Sequence, residues 1–158
     1  SQDAARLDLA LQFGADAVID VDRENAVERV VELTEGRKAD VVVEVSAGAT
    51  QPVVDAVDMV RPGGRIVLAG LKSFKPVPNL VTDKIVINEI KLMGVLSAGW
   101  PSIEKALDIL QRRGNELKPL CSHMFPLEDA DKAVRALGRE FDDGTEVVHI
   151  ALDVAGSG

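Results

Sequence analysis

The stretch that decides the fold is residues 39–70, which reads ADVVVEVSAG, ATQPVVDAVDMV and RPGGRIVLAG. Its outer runs, 41–45 and 66–68, are short and mainly β-branched, which is typical of strands covered on both faces of a parallel sheet. The residues between them that fall at helical spacing are Val53, Val54, Val57 and Val60. Arg-Pro-Gly-Gly at 61–64 ends this helix and turns the chain. The stretch therefore predicts a βαβ unit.

The turns after the two strands form a candidate ligand site. Parallel neighbours need a crossover connection, and ligands of such sheets bind beyond the carboxyl ends of the strands. Those ends are residues 45–48 and 69–71, where small residues let a ligand approach the backbone. The alternative is that both are plain strand-to-helix turns.

Composition excludes several classes of function. The chain has 158 residues, a hydrophobic content of 46% and a net charge of −8, so one domain with a large aliphatic core is expected. Because the charge repels nucleic acid and anionic membranes, we expect neither as a partner. A single cysteine, Cys121, cannot form an internal disulfide and favours a cytoplasmic location. No apolar run reaches the length of about 18 residues expected of a membrane span.

The elements before this unit are a helix ended by Gly14, a short strand at 17–19 and a helix over 25–34. An open parallel sheet of this kind normally begins with a strand, and none precedes Ser1. We therefore expect the chain to be a piece of a longer protein.

After Leu71 the pattern predicts an ordered loop at 72–80, a short helix over 82–88 and a strand over 90–97. A helix closed by Gly114 follows, and its expected inward residues are Ile103, Ala106, Leu107 and Leu110. Residues 119–126 are expected to be extended. A helix over 127–137 comes next, with Ala130, Ala133, Val134 and Leu137 expected inward. The last predicted strand covers 147–154.

Several segments, in one collinear order, resemble the nucleotide-binding half of medium-chain alcohol dehydrogenases. They are ALQFGADAVID (10–20), ELTEGRKA (32–39), DVVVEVS (40–46), RPGGRIVLAG (61–70) and IKLMGVLS (90–97). SHMFPLE at 122–128 resembles the segment by which that family returns to its catalytic domain. The resemblance implies an α/β fold with a three-layer Rossmann-like parallel sheet that lacks its first strands. It also implies a nucleotide-binding domain over 1–115 and a return segment over 116–158.

In that family the catalytic domain, its zinc ligands and the Gly-rich GxGxxG turn all lie upstream of the point matching Ser1. The resemblance thus implies an NAD(P)-dependent, zinc-containing dehydrogenase whose coenzyme-binding portion is this chain. Zinc is expected in the parent protein only. No catalytic residue and no metal ligand is expected in this segment, which should be inactive alone and, lacking the turn that cradles the pyrophosphate, should bind the dinucleotide weakly.

The resemblance also assigns cofactor contacts. Ser1 stands where an acid often selects NAD, and Arg6 stands where a basic residue often lies near the adenosine. A hydroxyl with an arginine suits a 2′-phosphate, so NADP is favoured slightly over NAD; the alternative is that both residues only cap and solvate a helix. The other matched positions are Ser46, Ala47, Ala69, Gly70, Leu71, Val95, Leu96, Ser97 and His149.

These positions have different roles in the family. Those at 46–47 follow the fourth strand, those at 69–71 line the nicotinamide, and those at 95–97 hydrogen-bond its carboxamide. His149 falls where an arginine or lysine reaches the pyrophosphate, and an ordinary exposed strand residue is the alternative there.

Three other polar residues have structural interpretations. Cys121 and His123 are too few ligands for a typical zinc shell, so a buried or half-buried thiol and a structural histidine are expected. Glu44 is an acid inside an apolar strand, which could be a tuned acid/base, but a paired structural role is favoured.

Other functions are kept open. Zinc-independent quinone or enoyl reductases share much of this half of the family. RPGGRIVL also resembles a turn of S-adenosylmethionine-dependent methyltransferases, although a strand and helix over 90–114 fit that plan poorly. A third, non-enzymatic interpretation is a dimerising module, because the strand at 93–97 matches an edge strand that pairs across a homodimer.

Overall fold

The computed structural model describes residues 4–138, 140 and 147–154. The helices are α1 (Ala4–Gln12), α2 (Ala26–Leu33), α3 (Gln51–Met59), α4 (Thr82–Ile87), α5 (Trp100–Leu117) and α6 (Ala130–Leu137). The strands are β1 (Ala39–Glu44), β2 (Val60–Leu68), β3 (Lys91–Gly94), β4 (His123–Pro126) and β5 (Ile150–Asp153). Two short 3-10 turns, Lys118–Leu120 and Leu127–Asp129, precede β4 and α6.

The chain forms two compact units. One comprises residues 19–97, and the other comprises the described residues up to 18 and from 98 onward. The boundary between 115 and 116 that the resemblance implies stays a prediction.

The unit at 19–97 contains a three-stranded parallel sheet in the order β1-β2-β3. Helix α3 connects β1 to β2, which confirms the predicted βαβ unit. The fully buried Ile66 of β2 lies at the centre of the core. Its neighbours in the core cluster are Ala56, Val57, Val60 and Ile90.

Arg-Pro-Gly-Gly at 61–64 was expected to be a turn before β2, but it lies inside that strand as a large bulge. Ala39 pairs with Val60 and Val41 pairs with Arg65, so the four residues lie opposite Asp40 alone. Gly64 is required there, because a Cβ would lie 2.5 Å from Val60 Cγ2 and 3.1 Å from the carbonyl oxygen of Asp40. The helix ends at Met59, and Val60, which had been counted among its positions, is the first residue of β2.

In the other unit, β4 pairs in parallel with β5. The Ser122 side chain connects the segments that lead into these strands. Its Oγ accepts hydrogen bonds from the amides of Val148 at 2.9 Å and His149 at 3.2 Å, and donates to the carbonyl oxygen of His149 at 3.0 Å.

Several predictions of local structure are wrong. Residues 17–19 form no strand. Helix α5 runs past Gly114 to Leu117, and none of its residues is buried. In α6 the buried residues are Ala133 and Ala136, while Val134 and Leu137 are exposed. A periodic apolar pattern identifies a face that can be covered, but burial depends on an element that packs against it.

No helix in the described part of the chain is long and apolar enough to cross a bilayer.

Candidate functional site

A pocket of about 530 Å³ lies beyond the carboxyl ends of β2 and β3. Its volume falls within the range of about 300–1,000 Å³ that small-molecule sites occupy. It is lined by residues 68–74 and 94–96. The residues on this wall that the resemblance had assigned to the nicotinamide end of the cofactor are Ala69, Gly70, Leu71, Val95 and Leu96.

The pocket wall is attached to the end of β1 by the backbone. The amides of Ala69 and Gly70 both donate to the carbonyl oxygen of Glu44, at 2.8 and 3.2 Å, and the amide of Gly48 donates to the carbonyl oxygen of Leu71 at 2.9 Å. Gly70 lies so close to the backbone of residues 45–46 that a Cβ would overlap the carbonyl oxygen of Ser46 and lie 2.7 Å from the Val45 carbonyl carbon. Only glycine fits here without a shift of backbone.

Because of this attachment, Ser46 and Ala47 lie beside the wall formed by 69–71. Ser46 is half-buried and Ala47 is exposed. Ser97 follows β3 with a left-handed backbone at φ 59°.

A buried ion pair lies under the same wall. Lys72 Nζ donates to Glu44 Oε2 at 2.8 Å and to Ser46 Oγ at 3.2 Å, and it also donates to the carbonyl oxygen of Ser46. Glu44 Oε1 accepts from the amide of Ser46 at 2.8 Å and from the hydroxyl of Ser46. The predicted paired role of Glu44 is thus confirmed.

The hydrogen bonds keep the Glu44 carboxylate charged. Burial is the largest single influence and raises its pKa, but donation by Lys72, then by the Ser46 hydroxyl and amide, and the charge of Lys72 together lower the pKa below its ordinary value. A buried carboxylate of this kind is held in one place by its partners.

Lys72 is the functional candidate that the sequence interpretation missed. It lies in a Pro-rich loop with another lysine, where it looked like a solvated charge. The available signal was Glu44, because an acid that is buried requires a compensating cation.

The remaining assigned residues lie elsewhere. Arg6 is exposed on α1, and its Nη2 donates to the carbonyl oxygen of Val147 at 3.1 Å. His149 is exposed just before β5. Both belong to the unit that contains α1 and α5, whereas the pocket belongs to the unit at 19–97. Ser1 lies outside the described residues.

Cys121 and His123 are held by local contacts. Cys121 Sγ is half-buried and donates to the carbonyl oxygen of His123 at 3.4 Å. The imidazole of His123 is buried, with Nδ1 2.9 Å from Ser122 Oγ and the ring stacked on Phe125 at 6.2 Å. Among the described residues, no three His, Cys, Asp or Glu side chains are grouped so that they could hold a metal ion.

Parallel strands with a crossover helix and a pocket beyond their carboxyl ends define a Rossmann-like α/β domain. Comparison with known proteins makes this assignment specific: the chain belongs to the zinc-binding dehydrogenase family, whose family model matches residues 1–112. This membership excludes the methyltransferase alternative.

Relatives of the chain are dehydrogenases. A probable alcohol dehydrogenase of Mycobacterium tuberculosis is 34% identical over 152 residues, which are 96% of this chain and 41% of that protein. Human sorbitol dehydrogenase is 36% identical over 135 residues, covering 82% of this chain and 36% of that protein. The chain thus spans about two fifths of the length of these relatives.

A solved structure has the same fold. An alcohol dehydrogenase from Thermotoga maritima superposes with a TM-score of 0.80 at 27% identity, over 94% of this chain and 40% of that one.

Proposed function

We propose that this chain is the coenzyme-binding portion of an NAD(P)-dependent, zinc-containing alcohol dehydrogenase-type oxidoreductase. The observation that carries the proposal is the pocket beyond β2 and β3, which the residues assigned to the nicotinamide line on both sides. The pocket suits the nicotinamide because its wall has apolar side chains and because Gly70 leaves the backbone there without a side chain. In this role the chain binds and orients the nicotinamide of the cofactor.

The parent protein would act on small alcohols or carbonyl compounds. When bound, the dinucleotide supplies the hydride acceptor or donor. Zinc held outside this chain would polarise the substrate oxygen. The apolar wall at Leu71, Val95 and Leu96 would exclude water from the nicotinamide face. The relatives named above favour this activity over that of a zinc-independent quinone or enoyl reductase.

The coenzyme is proposed to be NADP rather than NAD. Ser1 and Arg6 support this choice through their chemistry, because a hydroxyl with an arginine suits a 2′-phosphate, and the Arg6 side chain is exposed. His149 is proposed as a contact of the pyrophosphate. A cytoplasmic location completes the proposal, together with the absence of nucleic-acid and membrane partners that follows from a net charge of −8.

Titration of the isotope-labelled chain with NADH and with NADPH, followed by the chemical shifts of its amides, tests the site. We expect shifts at 69–71 and 95–96, no saturation in the micromolar range, and the larger response with NADPH. Saturable micromolar affinity would contradict the weak binding that is expected of this segment. No shift at these amides would refute the proposed site, and a larger response with NADH would refute the coenzyme choice.

The dimer is proposed to form through the strand at 93–97. In the described part of the chain β3 pairs only with β2, and its outer edge is open. The amide of Val95 donates to Leu68 in β2, so the alternate amides of Leu92 and Gly94 point to the outer edge. An open edge of this kind readily pairs with a second copy.

Leu92→Pro should therefore convert the dimer to a monomer, because proline removes an outer amide and leaves the bonds to β2 in place. Light scattering at micromolar concentration measures the mass, and circular dichroism checks the fold. Leu92→Val is the matched control and should remain dimeric. A monomeric wild-type chain would refute the dimer, whereas a wild-type dimer with no nucleotide response would favour the dimerising module.

A further inference from the structure

The ammonium group of Lys72 has as many acceptors as it has protons to donate. A lysine ammonium carries three donors. Its acceptors are Glu44 Oε2, the Ser46 hydroxyl and the Ser46 carbonyl oxygen. The side chains of Lys72 and Glu44 are only 12% and 3% exposed. Lys72 is thus committed to the protein interior and has no donor left for a bound phosphate.

These bonds join two segments that are distant in sequence. Glu44 is the last residue of β1 and Ser46 lies two residues beyond it, while Lys72 belongs to the segment that lines the pocket. The same two segments are also joined by the backbone bonds from Ala69 and Gly70 to Glu44, and from Gly48 to Leu71. The ion pair therefore lies at the end of a short series of backbone hydrogen bonds that holds the pocket wall against the end of β1.

Burial does little to hold this wall. Leu71 is 71% exposed and Phe74 is fully exposed, so their side chains contribute little packing. Ser73 and Phe74 both have left-handed backbone, at φ 54° and 59°, which is unfavourable for residues other than glycine. A segment with this conformation needs polar anchors, and Lys72 is the anchor nearest to it in sequence.

We propose that Lys72 is a positioning residue for the cofactor: through Glu44 and Ser46 it holds the backbone of 69–71 in the conformation that receives the nicotinamide end. Lys72 does not touch the ligand through its charge. This inference rests on the proposed function, and it adds a role for a side chain that the family resemblance did not assign.

Hydrogen exchange without nucleotide tests the positioning directly. In Lys72→Met the amides of Gly48, Ala69 and Gly70 should exchange about tenfold faster, because local opening no longer breaks the ion pair. Lys75→Met is the matched control, since Lys75 is an exposed lysine of the same loop. Its exchange rates at these amides should equal those of the wild type.

A double variant, Glu44→Leu with Lys72→Met, separates positioning from stability. Replacing both charges by apolar side chains leaves no unpaired buried charge, so the resistance to unfolding should recover. The fast exchange at the three amides should persist, and the amide shifts that NADPH induces at 69–71 should remain several-fold smaller than in the wild type.

The outcomes are distinguishable. Unchanged exchange in Lys72→Met, or exchange that recovers together with stability in the double variant, would overturn the positioning role. If Lys72→Met does not fold, the exchange rates of the same three amides in the double variant test the positioning role. Absence of shifts at 69–71 with both NADPH and NADH in the wild type would instead overturn the proposed function, while the exchange rates would still decide whether Lys72 holds the wall.

Discussion

Gly70→Ala should lower the free energy of unfolding by about 3 kcal/mol, near the upper end for overpacking substitutions. The new Cβ would overlap the carbonyl oxygen of Ser46 and lie 2.7 Å from the carbonyl carbon of Val45. Both are backbone atoms, so no side chain can rotate away to make room. The backbone bonds from Ala69 and Gly70 to Glu44 would have to lengthen, and the pocket wall would move.

Urea unfolding followed by circular dichroism measures this effect. Gly94→Ala is the matched control, because Gly94 also lines the pocket but a Cβ there meets nothing within 4 Å. The control should be as stable as the wild type. If the two variants were equally stable, the close approach of the two strand ends would not be a constraint on this fold.

The βαβ unit could be predicted because every level of the sequence agrees on it. Val41 to Val45 and Ile66 to Leu68 have strand composition, and the valines between them have helical spacing. Val53 and Val57 are indeed buried on the sheet side of α3. The same rule predicted a ligand site at 45–48 and 69–71, because the carboxyl ends of parallel strands lie at one edge of the sheet. The pocket is lined by 69–71 but not by 45–48.

The strand predicted at 17–19 shows where this reasoning fails. Ala17, Val18 and Ile19 are suitable strand residues, but a strand exists only when a neighbour accepts its backbone hydrogen bonds. In the described sheet β1 pairs only with β2, and no strand lies on its other side. Composition gives the tendency of a segment, whereas pairing depends on residues far away in the sequence.

The predictions for helix α5 failed for a similar reason, because burial also depends on residues outside the segment. Its pattern predicted an inward face, yet Ile103, Leu107 and Leu110 are 40%, 52% and 53% exposed. Gly114 was expected to end the helix because glycine costs about 1 kcal/mol in a helix interior. The hydrogen bonds of the helix and the good helix formers on either side of Gly114 provide more stabilisation than glycine costs. The helix therefore continues to Leu117.

Only one partner of the ion pair under the pocket, Glu44, could be recognised from the sequence. Glu44 is conspicuous in an apolar strand, but its partner is 28 residues away in a loop. Nothing in the sequence distinguishes Lys72 from Lys75, which is exposed. The choice between them is made by the register of β1 against β2, which brings Glu44 opposite Leu68 and so near the start of that loop.

Glu44→Gln should lower the free energy of unfolding near neutral pH by about 3 kcal/mol, since it leaves Lys72 buried without a counter-charge. The folded-state pKa of Glu44 lies below its ordinary value of 4.5. Its charged form therefore stabilises the fold fully above that value, and this contribution is lost as the pH falls through the folded-state pKa. The difference between wild type and variant should be largest near neutral pH and should narrow in acid.

Urea unfolding at a series of pH values measures that difference, and Asp40→Asn provides the contrast. Arg61, and then Arg37, also lower the pKa of Asp40 through hydrogen bonds, but this carboxylate is exposed and water screens its charge. Its substitution should change stability far less, and added salt should remove most of the change. A Glu44→Gln difference that was independent of pH, or that salt abolished, would mean that the buried pair does not stabilise the end of β1.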